Sequence, residues 1–136
     1  MYRVMLVDDE PNILSALRRS LATIDARQLD GEALLFETFT SPEAAINRSD
    51  EQDFDLVISD YRMPSMNGVE FLARIMELQP SVPRVIISGY ADREAIIAAV
   101  NTVHLTRFIE KPWDDEDLRR AVVSILGRAT PGAERK

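Results

Sequence analysis

Short apolar runs and helical stripes alternate along this chain. Residues 2–7, 34–39, 54–59, 82–87 and 105–109 are brief, mostly apolar or β-branched stretches of strand length. Between them, Ile13, Leu14, Leu17, Leu21 and Ile24 recur at helical spacing, as do Val69, Leu72, Ile75 and Met76, then Ile96, Ala99, Val100 and Val103, and finally Leu118, Ala121, Val122 and Ile125. Pro11 suits the first turn of one helix, and Ser41-Pro42-Glu43 reads as a cap and start for another. Gly68 opens a third helix, which stops before Pro80. The connection 25–33 is longer than usual and is expected to extend the first helix. Five strand–helix units predict an α/β fold, a parallel sheet with helices on both faces, because right-handed crossovers place them there.

The polar residues that end these runs carry the candidate chemistry. Val4-Met5-Leu6-Val7 ends in Asp8-Asp9-Glu10, and Leu56-Val57-Ile58-Ser59 ends in Asp60. Val85-Ile86-Ile87 ends in Ser88-Gly89, and Phe108-Ile109 ends in Glu110-Lys111-Pro112. Open sheets of this type bind ligands outside the carboxyl ends of their strands. If the first and third strands are neighbours, three carboxylates meet there. At an effective dielectric near 20 and about 5 Å, each like-charge pair costs roughly 3 kcal/mol. A fold keeps such a cluster for a cation or for a reaction.

Composition narrows the classes. With 136 residues the chain is expected to form one domain, with 1–127 as the unit and 128–136 as a tail or the start of a linker. Net charge is −7 with acids and bases mixed, which argues against direct nucleic-acid or anionic-membrane binding. There are no cysteines, which removes disulfides and thiolate metal sites. No apolar run approaches the ~18 residues of a membrane span, so a cytoplasmic location is expected.

Val7-Asp8-Asp9-Glu10, Ser59-Asp60-Tyr61-Arg62-Met63-Pro64 with Gly68, Ser88-Gly89, and Phe108-Ile109-Glu110-Lys111-Pro112 together resemble the receiver domains of two-component response regulators. None of these motifs is specific alone; four in order at matching strand ends are. The Ser88–Asp92 and Arg107–Trp113 stretches also resemble the subgroup often fused to HD-GYP-type phosphodiesterase outputs. The resemblance implies a doubly wound, five-stranded, flavodoxin-like sheet in the order 2-1-3-4-5 with five helices. That order reverses between strands 1 and 3, which end in aspartates here.

What the resemblance further implies is a phosphoacceptor switch. Asp60 would take a phosphoryl group from a sensor histidine kinase or phosphotransfer protein, catalysing only its own phosphorylation and slow dephosphorylation. Asp8, Asp9, Asp60 and the Arg62 backbone carbonyl would hold Mg²⁺, a hard cation that takes oxygen ligands. Lys111 and Ser88 would contact phosphoryl oxygens, and Phe108 would rotate inward behind Ser88. The face of the fourth helix, fifth strand and fifth helix would serve a partner or a second copy, the output itself being unspecified. Arg62 and Tyr90, two residues after Asp60 and Ser88, would tune the phosphoryl lifetime. Pro112 would be a cis proline.

Plainer roles exist for each residue singly. Asp8 and Asp9 suit a helix cap, Ser88 an N-cap, Asp60 a loop acid and Lys111 a solvated strand end. His104 reads as a helix-end residue, and Phe71 and Trp113 as packing. The main rival function is an aspartate-nucleophile phosphatase of the haloacid-dehalogenase type. It needs a second Asp two positions after the nucleophile, where this chain has Arg62. A flavodoxin-like cofactor site would need a hydroxyl- or glycine-rich loop after the first strand, where Asp8-Asp9-Glu10 would repel phosphate.

Overall fold

The computed structural model describes residues 1–127, so the tail expected at 128–136 lies outside the described residues. The elements run β1 (Tyr2–Val7), α1 (Pro11–Leu21), β2 (Leu34–Phe39), α2 (Pro42–Ser49), β3 (Leu56–Asp60), α3 (Gly68–Leu78), β4 (Arg84–Ser88), α4 (Arg93–Ala99), β5 (Arg107–Glu110) and α5 (Asp115–Leu126). All strand pairs are parallel, in the order β2-β1-β3-β4-β5, as expected.

Period-two alternation divides the apolar residues of the central strands between two cores. Val4, Leu6, Leu56, Ile58, Val85 and Ile87 face α1 and α5, where Leu14, Leu17, Leu21, Leu118, Val122 and Ile125 meet them. Met5, Val7, Val57 and Ile86 point the other way, onto Ala45 of α2, Phe71, Leu72 and Ile75 of α3 and Ile96 of α4. Strands covered on both faces are buried end to end, which explains their continuous apolarity. Phe71 is a core residue, and Trp113 packs at the edge of the α1–α5 core.

Several boundaries differ from the sequence reading, among them the fifth strand, expected over 105–109 and found at Arg107–Glu110. The first helix does not extend through 25–33: Asp25 caps a separate 3-10 turn, Ala26–Leu29, and the chain reverses through Asp30 and Gly31, both at positive φ. The third strand begins at Leu56, because the Phe54 backbone N–H donates to the buried Gln79 side chain. The fourth begins at Arg84, after Pro83, which has no N–H for a ladder. Both strands also run one residue further than expected, so Asp60 and Ser88 are themselves the last strand residues.

Candidate functional site

Register delivers the site. Val7 pairs with Ser59, Asp60 with Ile87, and Ser88 with Glu110, so the ends of β1, β3, β4 and β5 lie level at one edge. Carboxylate oxygens of Asp8, Asp9 and Asp60 come within 4.8 Å of one another, a cluster able to hold a metal ion. Lys111, just past β5, sends its ammonium to Asp8 Oδ2 at 3.3 Å and Asp60 Oδ1 at 3.1 Å. Its backbone N–H donates to the Ser88 carbonyl at 2.8 Å, joining the ends of β4 and β5. The Lys111-Pro112 peptide is cis.

Burial sets the electrostatics. Asp8 is 1 % exposed and Asp60 8 %. Burial, with the charge of Asp60, pushes the Asp8 carboxyl up to about 6, although the Glu10 backbone N–H and Lys111 oppose the shift. Burial likewise raises Asp60, against the pull of Lys111. Burial alone would lower the Lys111 ammonium, yet the charges of Asp8 and Asp60 lift it above its ordinary value. One cation therefore faces three carboxylates in a partly dry pocket, an arrangement that favours a further cation.

The β3–α3 loop is tied down at both ends. Gly68 N–H donates to the Tyr61 carbonyl at 2.6 Å, and Asn67 and Glu70 form a reciprocal capping box at the start of α3. Ser65 donates its hydroxyl to Glu43 of α2 at 2.5 Å. Side-chain capping of α1 does not account for the aspartates that follow β1. Glu10 is the N-cap of α1 and makes no side-chain cap bond, while Asp8 Oδ1 accepts from the Glu10 N–H at 2.9 Å.

The remaining candidates divide. Ser88 is 2 % exposed and donates its hydroxyl to Asp92 Oδ2 at 2.8 Å. Arg62 reaches the same carboxylate, with Nη2 2.6 Å from Oδ1. Phe108 is half-buried against the α2–α3–α4 core, whereas Tyr90 is 70 % exposed with the Arg93 guanidinium over its ring. His104 follows α4 at positive φ, in the turn that leads to β5. Asp92 is the residue the sequence reading missed. Its signal was the four-residue spacing from Ser88 across a helix start, which is meaningful only once Ser88 is placed.

Residues 4–123 match the response regulator receiver domain family, and the chain belongs to it. It is 37 % identical over 115 residues to the hydrogenase transcriptional regulatory protein HoxA of Cupriavidus necator, covering 85 % of this chain and 22 % of that protein. Among solved structures, an uncharacterised protein from Neptuniibacter caesariensis shares 44 % identity at a TM-score of 0.79, over 92 % of this chain and 87 % of that one. The signal receiver domain of an HD domain-containing protein from Pseudomonas fluorescens Pf-5 shares 31 % identity at a TM-score of 0.78, over 93 % of this chain and 88 % of that one. This chain thus spans about a fifth of the length of the HoxA relative and is a receiver domain of the two-component type. No helix among the described residues is long and apolar enough to cross a membrane.

Proposed function

We propose that the domain is a phosphoacceptor switch in which Asp60 takes a phosphoryl group from the phosphohistidine of a kinase or phosphotransfer protein. The observation that carries this reading is the Asp8–Asp9–Asp60 cluster with Lys111 in contact with two of its members. In the transfer, the P–N bond of phosphohistidine breaks as an Asp60 Oδ–P bond forms, and the imidazole leaves with the bonding pair. The Lys111 ammonium, already on Asp60, meets an incoming phosphoryl oxygen as a point charge, and Ser88 donates its hydroxyl to another. Asp8, Asp9, Asp60 and the Arg62 carbonyl are hard oxygen donors that fit Mg²⁺, which when bound would neutralise charge on the transferring group. The phosphatase alternative lacks its acid: Arg62 stands where it needs an Asp.

The receiver unit is residues 1–127, acting in the cytoplasm. Once Ser88 has turned to the phosphoryl group, Phe108 follows inward and the face of α4, β5 and α5 changes, offering a surface to an output partner or a second copy. Arg62 and Tyr90 flank the line of water attack and prolong the phosphorylated state. In the test, Asp60→Asn abolishes labelling by radiolabelled acetyl phosphate in Mg²⁺ while circular dichroism stays unchanged. Stoichiometric labelling of that variant rejects the assignment. Arg62→Asn and Tyr90→Ala are each expected to lose the label faster, by severalfold, since each 1.36 kcal/mol of barrier is tenfold in rate. Unchanged or slower decay in both contradicts the lifetime role.

A further inference from the structure

One buried carboxylate is shared between the end of β4 and the loop after β3. Asp92 is 6 % exposed and closes the short 3-10 turn ahead of α4. Ser88 Oγ donates to its Oδ2 at 2.8 Å, from the end of β4. Arg62 Nε donates to both of its oxygens, at 2.9 and 3.0 Å, from the loop after β3. The carboxylate is not spent on the helix: Asp92 occupies the N-cap position of α4 and makes no side-chain cap bond. Lys111 acts on it through charge alone, its ammonium bonding to Asp8 and Asp60.

The Ser88 hydroxyl carries one proton. It donates either to Asp92 or to a phosphoryl oxygen, never to both. Arg62 has five N–H donors and is subject to no such alternation. When Ser88 turns away, the guanidinium keeps Asp92 paired, so a buried charge is not left alone. The hydroxyl can therefore leave while its acceptor stays in place to take it back.

We propose that Asp92, anchored by Arg62, is a positioning residue that holds the Ser88 hydroxyl away from Asp60 and sets how readily the phosphorylated arrangement forms. This rests on the reading of Asp60 as the phosphoacceptor. A phosphoryl group and a carboxylate are both anionic acceptors, so moving the Ser88 proton exchanges one charge-assisted bond for another. Where two such bonds nearly balance, a modest change in either shifts the population strongly. Asp92 is the half of that balance that belongs to the resting state.

The test uses beryllofluoride as the phosphoryl mimic with Mg²⁺, its affinity read by titration of Trp113 fluorescence, and acetyl phosphate labelling of the unaltered chain as a control. Asp92→Ala removes the competing acceptor and is expected to bind beryllofluoride about tenfold more tightly, 1.4 kcal/mol. Asp92→Asn keeps a weaker, neutral acceptor and is expected to gain less; being nearly isosteric, it also serves if the alanine variant folds poorly. In a Ser88→Ala background, neither substitution at 92 is expected to tighten binding further. A role confined to loop structure would weaken binding, or change it equally with and without Ser88. Weaker or unchanged binding in the variants at 92, or a gain that survives Ser88→Ala, overturns the proposal while leaving Asp60 as phosphoacceptor. An unaltered chain that takes neither label nor beryllofluoride overturns both.

Discussion

Gly68 sets how closely the loop after β3 returns over Asp60. A Cβ at Gly68 would overlap the Asp60 carbonyl oxygen and lie 2.9 Å from Tyr61 Cα. Both are backbone atoms, so no side chain can swing aside. Gly68→Ala must therefore push the loop away, at a cost of about 1–3 kcal/mol by analogy with overpacked cores. The expected outcome is a melting temperature several degrees lower and slower labelling by acetyl phosphate, both measurable on the purified domain. An unchanged melting temperature would mean that the loop has slack. Gly68 was legible in the sequence as a helix start and as part of the receiver-like motif; its closeness to Asp60 is a tertiary fact. Asp8, Asp9, Asp60, Ser88 and Lys111 were legible because each ends an apolar run, and parallel strands in register bring such ends together. Asp92 ends no run. It acquires its place from Ser88, at the end of β4, and Arg62, in the loop after β3.

At the scale of elements, α4 is the least anchored helix. It has seven residues, and Ile96 is its buried side chain, with Ile97 56 % exposed. By contrast, α3 buries Phe71, Leu72 and Ile75, and α5 buries Leu118, Val122, Ile125 and Leu126. A helix with few buried contacts opens at low free energy, so α4 is where a small bias at Ser88 can be read out. Amide exchange with and without beryllofluoride is expected to change most in α4, β5 and the facing side of α5. Change confined to α1 would contradict the switch. The sequence reading found every regular element but misjudged 25–33, where helical spacing persists to Ile24. What stops α1 at Leu21 is the Asp25 capping box and the turn through Asp30 and Gly31, local bonds that outweigh the pattern.

For the whole molecule, the site is an electrostatic burden on folding, and its sign can be worked out from Asp8. Its carboxyl sits near 6 in the folded protein against an ordinary 3.8, raised chiefly by burial. Between those pH values the folded state holds a proton that the unfolded chain has lost. The contribution of this group to stability therefore falls as pH rises from about 4 to about 6, and stays low above that. At 1.36 kcal/mol per unit, the loss is on the order of 3 kcal/mol by neutral pH. Asp8→Asn removes the charge and keeps an oxygen that can accept from the Glu10 N–H. In EDTA at pH 7.5 the variant is expected to melt several degrees above the unaltered chain, and at pH 4 the gain is expected to vanish. About 10 mM Mg²⁺ is expected to reverse the order at pH 7.5, because a ligand bound to the native state adds RT ln(1 + [L]/Kd), and the variant has lost a carboxylate from the cluster able to hold a cation. Melting curves for both chains under these three conditions decide the matter. A variant no more stable than the unaltered chain in EDTA at pH 7.5 would show that Lys111 already neutralises the cluster.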